Sequence, residues 1–448
     1  MQKNGKSIFV AVSGGVDSSV ALALLKKQGY AVTGCFMKNW SRNMSGLTCN
    51  WAGEREDAMR VCAALNVPFR TVDLEETYVK KVFRNFVGEY KKGRTPNPDV
   101  LCNSEVKFKA FLQWALRNGA EYIATGHYAR IERKFSIFSS QFSNNDSMHR
   151  FSATPLFNCH NENSLKIGNC KLKIAKDANK DQSYFLYRLG QKELARVLFP
   201  VGEYAKPDVR KMAHAFMLPT AEKKDSQGVC FMGEVALQQF LRGWIPEKPG
   251  NIIHLSDTFS QSTGVGTERA AVHFRNHPEA SGHGSRVLRG RVSRGQSEKS
   301  RWDFERVEKA RRGERIGTHA GIHYFTIGQR HGLGLPGGSQ RPLYVAAKDV
   351  KKNVLYVAEK NHPALYVKTL ALKDVYWVSG SAPKLPLACR ARIRYRQPLQ
   401  SCTIAKSKTG GSKSVIRAAF CHAQWAPAPG QSVVFYHRDN VLGGGIIL

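Results

Sequence analysis

Residues 7–29 read SIFVAVSGGVDSSVALALLKKQG and combine a strand pattern, a glycine turn and a helix pattern. The run from Ser7 to Val12 is mainly apolar, as in a buried strand. The run from Val20 to Gly29 has helical spacing, lysines in its last turn and a glycine stop. A glycine turn between a strand and a helix gathers free backbone N–H groups at the positive end of the helix dipole. This stretch therefore predicts an anion-binding loop.

Strand and helix patterns continue to alternate as far as about residue 125. We predict further strands at residues 31–37, 67–72 and 122–125, and helices at residues 54–65, 77–90 and 105–116. Such alternation is typical of an α/β fold in which a parallel sheet carries helices on both faces. Ligands of these sheets bind at the carboxyl ends of the strands. We therefore expect Ser13, Met37 and Gly126-His127 to lie along one edge of the sheet.

The loop SGGVDSS contains neither of the usual nucleotide-binding patterns, GxxxxGK[ST] and GxGxxG. It therefore has no P-loop lysine to follow a γ-phosphate. A helix capped by serine or aspartate after a tight turn would explain part of the pattern. The glycines, the hydroxyl groups of Ser13, Ser18 and Ser19, and the strand–helix context together favour phosphate binding.

The chain has 448 residues, enough for two or three domains, and it is strongly basic. Its 68 Lys and Arg residues against 35 Asp and Glu residues give a net charge of +33. Such a charge favours a polyanionic partner, nucleic acid first, over a basic surface that is merely solvated. No apolar run approaches the ~20 residues of a membrane span, so we expect no membrane partner. The ten cysteines form no CxxC pair, which argues against a zinc ribbon or a disulfide framework.

Two irregular segments interrupt the regular patterns and help to define three domains. We predict a first domain at residues 1–220, with an irregular insert at about 134–170. A central domain at 221–363 carries a second insert at about 254–317, which is rich in glycine, serine and arginine. Short alternating runs between turn residues predict a small β-barrel at 364–448. The arginine-rich insert either contacts RNA or is solvated.

Two cysteine motifs have the composition of reactive sites. In GRTPNPDVLCN, residues 93–103, two prolines stiffen the chain ahead of Cys102. The helix predicted next puts Cys102 near a helix N-terminus, with Arg94 and Lys107 nearby in sequence, and this setting favours a thiolate. Burial as a structural cysteine is the alternative.

The second cysteine motif is KKDSQGVCFMGE, residues 223–234. Its two lysines favour a thiolate on Cys230, and its glycines suggest a loop that moves. Together with Cys102, it suggests a dithiol that closes into a disulfide during turnover.

These motifs resemble those of the tRNA-specific 2-thiouridylases, a branch of the ATP pyrophosphatases. SGGVDSS alone resembles the pyrophosphate loop of the whole superfamily, whereas the two cysteine motifs together are typical of the branch. Other matching stretches are FMKNW at 36–40, TGHY at 125–128, KDQSYFL at 180–186, FPVG at 199–202, TIGQR at 326–330, RYRQ at 394–397 and GGG at 443–445. The two irregular inserts have no counterpart in the family. The resemblance implies an adenine nucleotide alpha-hydrolase-like PP-loop domain, a small central domain and a C-terminal β-barrel.

The resemblance also implies a role for each matching residue. ATP would be bound by Val12, Ser13, Gly14, Gly15, Val16, Asp17, Ser18, Ser19, Met37 and Gly126. Cys102 would be the nucleophile, Cys230 the persulfide carrier and Asp99 an acid or base. The tRNA, including its target base, would be contacted by Asn97, Pro98, Asp99, His127, Lys180, Asp181, Gln182, Arg394, Tyr395 and Gln431.

The implied reaction is the ATP-dependent formation of 2-thiouridine at wobble uridine 34 of tRNA, with release of AMP and pyrophosphate. Mg²⁺ would accompany the pyrophosphate without a dedicated protein site. The sulfur would come from a persulfide donor, either a cysteine desulfurase or a sulfur relay protein. Two alternatives stay open: another ATP pyrophosphatase, which forms an amide or argininosuccinate, and a non-catalytic RNA-binding relative. The first needs no cysteine pair, and the second would be expected to lose SGGVDSS or a cysteine.

The location of the protein is predicted from weaker features. High basicity, two inserts and the motif NHPALY at 361–366, which resembles mitochondrial members of the family, favour the mitochondrion. The short polar leader is unlike an ordinary transit peptide, so the bacterial cytoplasm is the alternative.

Overall fold

The computed structural model describes residues 5–41, 50–133, 170–224, 237–256, 313–335, 341–408 and 414–448. Three sheets organise these ranges, with five, four and eight strands. No helix within the described ranges is long and apolar enough to cross a bilayer. Cys230 and most of both predicted inserts lie outside the described residues.

The strands are numbered in chain order. They are β1 Ser7–Ala11, β2 Ala31–Lys38, β3 Phe69–Asp73, β4 Tyr122–Thr125, β5 Arg130–Arg133, β6 Cys170–Lys173, β7 Val197–Leu198, β8 Gly250–His254, β9 Glu314–His319, β10 Leu343–Asp349, β11 Val354–Glu359, β12 Tyr366–Trp377, β13 Leu387–Arg392, β14 Gln400–Lys408, β15 Ser414–Trp425, β16 Ser432–His437 and β17 Asn440–Ile447.

Most helices accompany the first sheet. They are Val16–Lys27, Trp51–Ala64, Gln191–Leu194, Lys206–Ala215 and Leu237–Arg242. Two longer helices each consist of three consecutive segments with a π-helical middle. Helix 75–91 is made of Glu75–Tyr78, Val79–Phe83 and Arg84–Lys91, and helix 98–117 of Pro98–Leu101, Cys102–Phe111 and Leu112–Arg117.

The first sheet is parallel, as predicted, with the strand order β3-β2-β1-β4-β7. β1 lies in the middle and is buried on both sides. Ile8 and Val10 pack in one hydrophobic cluster and Phe9 in another. Alternate side chains of a strand point to opposite faces, so both faces of this sheet are covered. The prediction of a parallel sheet with helices on both faces is confirmed.

Helix 98–117 begins earlier than the sequence patterns predict. The predicted start was Glu105, but Pro98 occupies the first turn and the Asn97 side chain accepts a hydrogen bond from the Val100 N–H at 3.4 Å. Proline fits the first turn of a helix because its missing N–H would have no partner there. The acidic residue of that first turn is Asp99.

The C-terminal strands form the predicted β-barrel. The order is β12-β15-β14-β13-β16-β17, and β12 also pairs with β17, which closes the ring. The hairpin β5–β6 from the first part of the chain extends the same sheet, because Lys173 pairs with Asn440 of β17. Between the parallel sheet and the barrel, the central strands form a separate sheet, β10-β11-β8-β9.

The described ends of each insert lie side by side. Arg133 pairs with Cys170, and His254 pairs with Glu314. Cys170 and residues 314–317 are strand residues, so both inserts are narrower than the sequence patterns predict. Because the backbone pairs across the base of each insert, the insert is a long loop between adjacent strands. The entropy cost of closing a loop rises only slowly with its length, so the fold accommodates both inserts.

Candidate active site

The SGGVDSS loop lies between β1 and the helix Val16–Lys27. Gly14 has a φ of +74°, and a Cβ atom at this position would collide with the backbone oxygen of Glu54. The turn therefore requires glycine at residue 14. The neighbouring Ser13 is exposed at the top of the loop.

Hydroxyl groups brace this loop from within. Ser18 Oγ accepts a hydrogen bond from the Ser13 N–H at 3.1 Å and donates one to Gly15 O at 3.0 Å. Ser19 Oγ donates to the same Gly15 oxygen at 2.8 Å. The shape of the loop is thus set by its own serines, and the exposed side stays available for an anion.

Asp17 is held by two residues from elsewhere in the chain. Its Oδ1 accepts a hydrogen bond from the Tyr128 hydroxyl at 2.8 Å and lies 2.6 Å from Lys206 Nζ. The Lys206 side chain is only 11% exposed. A lysine from a distant helix therefore brings to the loop a positive charge that the loop's own sequence lacks.

The residues predicted to share one edge of the sheet do so. β2, β1 and β4 are adjacent and parallel; Met37 lies at the end of β2, Ser13 follows β1 and Gly126 follows β4. Gly126 packs directly on the start of the first helix, since a Cβ atom there would lie 2.6 Å from the Ser18 nitrogen. Met37 is half-buried beside them. The expectation of one common edge is confirmed.

The edge continues from Gly126 to the residues around Lys107. Burial raises the pKa of the Asp99 carboxyl, and the positive charge of Lys107 partly opposes that rise. Burial lowers the pKa of His127 well below its ordinary value, and Lys107 lowers it further. His127 is also hydrogen-bonded through Nδ1 to Thr125 Oγ1 at 2.7 Å. The His127 ring also lies 5.5 Å from the ring of Phe108, so helix 98–117 and the end of β4 are in direct contact.

Cys102 differs in part from its predicted setting. It is 1% exposed and follows the first helical segment. The first turn, at the positive end of the helix dipole, therefore contains Asp99 and not Cys102. Arg94 forms an ion pair with Glu89 at 3.2 Å. The predicted stabilisation of a thiolate by a helix N-terminus is therefore weaker than expected, because the dipole effect falls off within the first turn.

Of the motif that carries Cys230, the structure describes only Lys223 and Lys224. Lys223 Nζ lies 2.6 Å from Asp57 Oδ2. Asp57 belongs to the helix Trp51–Ala64, and its Cβ lies close to Gly14. The segment that leads to Cys230 thus starts beside the SGGVDSS loop. A disulfide between Cys102 and Cys230 lies outside what the described residues test.

Two of the three predicted tRNA contacts at 180–182 are used inside the protein. Asp181 is 2% exposed as a whole residue. Its carboxylate pairs with Arg392 at 2.8 Å and accepts hydrogen bonds from the N–H groups of Ala175 and Ser183. Gln182 Oε1 accepts a hydrogen bond from the Tyr128 N–H at 2.9 Å. For Asp181 the geometry favours a structural role over direct contact with a polyanion.

The predicted barrel contacts lie where the barrel meets the rest of the chain. Arg394 packs over the ring of Trp425 at 4.8 Å, and burial lowers its pKa. The Tyr395 ring lies 4.6 Å from the Phe185 ring. Gln431 Nε2 donates to the backbone oxygens of Thr95 and Pro96 at 3.0 and 3.1 Å. Tyr395 and Gln431 thus lie beside residues of the first domain, whereas a Cβ atom on Gly328 of the central domain would lie 3.1 Å from Arg394 Nη2.

The sequence analysis did not predict the ion pairs and the hydrogen bond that three residues form at this site: Lys206, Tyr128 and Arg392. The proline after Lys206 predicts that a helix starts there. It does not predict that the Lys206 side chain forms an ion pair with Asp17. Tyr128 is part of the TGHY motif, yet its bond to the loop is a long-range contact. Their partners are distant in sequence, so only the fold reveals them.

Three family descriptions match successive parts of the chain. Residues 6–234 match the "tRNA methyl transferase HUP domain", residues 301–359 the "tRNA methyl transferase PRC-barrel domain" and residues 367–447 the "Aminomethyltransferase beta-barrel domain". The order of these matches follows the order of the three sheets along the chain.

Similar proteins match over almost the full length of the chain. A tRNA-specific 2-thiouridylase of Geobacillus kaustophilus is 40% identical over 98% of this chain and 94% of its own. Its counterpart in Nitrosomonas europaea is 38% identical over 99% of both chains. That of Stutzerimonas stutzeri is 38% identical over 98% of this chain and 94% of its own.

Proposed function

Because the chain belongs to the family of tRNA-specific 2-thiouridylases, we propose that it is an ATP-dependent sulfurtransferase that makes 2-thiouridine at wobble uridine 34 of tRNA. The reaction uses ATP to activate an oxygen of the base and releases AMP and pyrophosphate. Its substrates are both polyanions, in keeping with the net charge of +33.

One observation carries this proposal. Gly126 packs on the start of the helix that follows SGGVDSS, and the ring of the next residue, His127, lies 5.5 Å from the ring of Phe108 on helix 98–117. The candidate phosphate loop and the Asp99–Cys102 helix therefore meet at the carboxyl end of β4. A base bound beside Asp99 and an ATP bound by the loop would have their reacting atoms in one cleft.

In the first step, the C2 oxygen of uridine attacks the α-phosphorus of ATP and pyrophosphate leaves. Backbone N–H groups of residues 13–19 hold the phosphates, while Met37 and Gly126 line the adenosine side. Mg²⁺ would accompany the phosphates and neutralise charge on the departing pyrophosphate; Asp17, the carboxylate of the loop, is paired with Lys206. Asp99, whose pKa is raised by burial, accepts the proton that N3 of uridine loses as its C2 oxygen attacks, and returns it to N3 when the thiocarbonyl forms.

In the second step, the terminal sulfur of a persulfide on Cys230 attacks C2. The Cys102 thiolate then attacks the Cys230 sulfur, the bond to the transferred sulfur breaks, and AMP leaves as the C2 thiocarbonyl forms. In a variant of this step, Cys102 first frees the sulfur as sulfide, which attacks C2. Either way the two cysteines end as a disulfide. An external thiol reductant then reduces this disulfide to the two thiols. A cysteine desulfurase or a sulfur relay protein reloads Cys230.

Pyrophosphate release in the presence of tRNA tests the first step. We expect release that depends on a tRNA with a wobble uridine, together with formation of 2-thiouridine seen by mass spectrometry of the tRNA. Orthophosphate as the first product would point to ordinary ATP hydrolysis and contradict the proposal. An amide or argininosuccinate product would assign the chain to another ATP pyrophosphatase activity.

Serine variants of the two cysteines test the second step. Cys102→Ser and Cys230→Ser should each abolish thiolation and leave tRNA and ATP binding intact, because serine carries no transferable sulfur. Cys421→Ser, at an exposed barrel cysteine, is the matched control. Normal 2-thiouridine formation by Cys230→Ser would exclude the persulfide role.

The mitochondrial location stays a prediction, with the bacterial cytoplasm as its alternative. The relatives named above are bacterial proteins and lend the mitochondrial prediction no support. Fractionation of cells that express the protein with a C-terminal tag decides between the two, and a signal confined to the cytosol would overturn the mitochondrial prediction.

A further inference from the structure

Residues 93–97 connect helix 75–91 to helix 98–117, and we call them the 93–97 segment. This segment sets where helix 98–117 begins, and that helix carries Asp99 and Cys102. Thr95, at the middle of the segment, is 8% exposed. The surroundings of Thr95 therefore help to determine where the two reactive groups lie.

The barrel holds the 93–97 segment through hydrogen bonds to both backbone groups of Thr95. The Thr95 N–H donates to Pro429 O at 2.8 Å. Gln431 Nε2 donates to Thr95 O at 3.0 Å and to Pro96 O at 3.1 Å. These bonds satisfy backbone groups that have no helix or strand partner, so their loss leaves the segment free to shift.

Close packing reinforces these bonds. Gly430 has a φ of +94°, and a Cβ atom on it would lie 2.8 Å from Thr95 O. Residues 429–431 therefore press directly on Thr95. From the central domain, Thr326 Oγ1 lies 3.1 Å from Thr95 Oγ1. All three parts of the molecule meet at this residue.

The barrel approaches helix 98–117 at a second point. Asn103, next to Cys102, donates through Nδ2 to Phe185 O at 3.3 Å. The Phe185 ring lies against the Tyr395 ring of the barrel at 4.6 Å. The barrel thus braces the helix both before Asp99 and after Cys102.

We propose that Gln431 is a positioning residue, whose carboxamide fixes the 93–97 segment and thereby couples tRNA docking on the barrel to the placement of Asp99 and Cys102. This inference rests on the proposed function. It gives Gln431 a role different from direct tRNA contact, because both hydrogen bonds of its Nε2 go to the protein backbone. A tRNA that settles on the neighbouring Arg394 and Tyr395 would tighten the same junction.

Gln431→Met tests the inference, since methionine keeps the length of the side chain and removes both hydrogen bonds. We expect kcat for pyrophosphate release at saturating tRNA and ATP to fall about 100-fold, the effect of a misplacement of about 1 Å. The Kd for a transcribed tRNA with a wobble uridine should rise far less than kcat falls, because Gln431 itself does not bind the tRNA. Hydrogen exchange at the Thr95 amide should accelerate. Gln431→Glu, which turns a carboxylate toward two carbonyl oxygens, should act in the same direction and more strongly.

Gln400→Met is the matched control. Gln400 is a half-buried barrel glutamine that also donates to a backbone oxygen, that of Pro398 at 3.1 Å. It should behave like the wild type in all three measurements. A weaker tRNA Kd with unchanged kcat for Gln431→Met would overturn the inference in favour of direct contact, as would unchanged exchange at Thr95.

The two proposals fail in distinguishable ways. If the wild type releases no pyrophosphate with tRNA, the proposed function is wrong. Hydrogen exchange needs no turnover, so faster exchange at Thr95 in Gln431→Met than in Gln400→Met still supports the bracing of the 93–97 segment. Equal exchange in the two variants overturns that bracing whatever the reaction is.

Discussion

Gly14 and Gly15 are neighbours in the phosphate loop, but the fold makes different demands on them. Gly14 has a positive φ and packs against Glu54. Gly15 is extended, and the nearest heavy atom to a Cβ placed on it is Ser13 Oγ at 3.5 Å. Structure alone therefore requires glycine at residue 14, whereas only a close ligand would require it at residue 15.

Gly15→Ala should fold normally and lose tRNA-dependent pyrophosphate release, because its methyl group would occupy the space of a phosphate. Gly14→Ala should instead lower the free energy of unfolding by roughly 1–3 kcal/mol, the usual cost of a left-handed non-glycine residue. Urea unfolding and the pyrophosphate assay separate the two effects. Full activity in Gly15→Ala would show that phosphates do not approach this residue.

Asp99 should show a cost in stability that depends on pH. Its pKa is raised above 3.8 in the folded protein, so the folded state binds its proton more readily than the unfolded chain does. The ionised carboxylate therefore lowers the free energy of unfolding at neutral pH, and this penalty is absent below the unfolded pKa.

Asp99→Asn should accordingly raise the free energy of unfolding at pH 7 and abolish turnover. The gain should shrink as the pH falls toward 3.8. Urea unfolding across this pH range measures it, and the exposed Asp208→Asn is the control. A gain that stays constant with pH would contradict the assigned pKa shift.

At the scale of elements, the barrel and the first domain are joined by a buried ion pair. Asp181 and Arg392 have side chains 1% and 10% exposed, with 2.8 Å between Oδ2 and Nη1. Asp181 lies in the turn that follows β6, and Arg392 ends β13. The pair therefore ties a loop of the first domain to the wall of the barrel.

Arg392→Met should destabilise the protein by about 3–5 kcal/mol, because it leaves a buried carboxylate without its counter-charge. The double variant Asp181→Asn/Arg392→Met should recover part of this loss. Arg390→Met, at an exposed residue of β13, should have little effect. Urea unfolding of the wild type, these three variants and the single variant Asp181→Asn completes the double-mutant cycle, and additive losses would show that the pair does not interact.

At the scale of the whole molecule, the excess of basic residues should dominate tRNA affinity. The logarithm of the tRNA Kd should rise linearly with the logarithm of the salt concentration, because Lys and Arg contacts to phosphates release counterions. The described ends of the arginine-rich insert are paired strands, His254 with Glu314, so a short turn can replace residues 257–312.

This replacement should reduce the salt slope and weaken tRNA binding without abolishing thiolation. Filter binding at several salt concentrations measures the slope for the full chain and the shortened chain. An unchanged slope would show that the insert is solvated rather than in contact with RNA.

Local patterns in the sequence determined the parallel sheet, the barrel and the position of the SGGVDSS loop. Alternating apolar residues and turn residues act over short distances, so they are readable without the fold. The start of helix 98–117 could not be predicted from such patterns. They predict that Pro98 is part of a stiff loop, but it lies in the first turn of the helix.

Only the tertiary structure decided which residues stabilise the site. Lys206 reaches Asp17 across 189 residues of chain, Arg392 reaches Asp181 across 211, and Gln431 reaches Thr95 across 336. Each is a single polar residue with no periodic pattern around it. Their partners are chosen by the packing of the domains against one another, and this packing depends on the summed burial of many apolar side chains rather than on any short stretch of sequence.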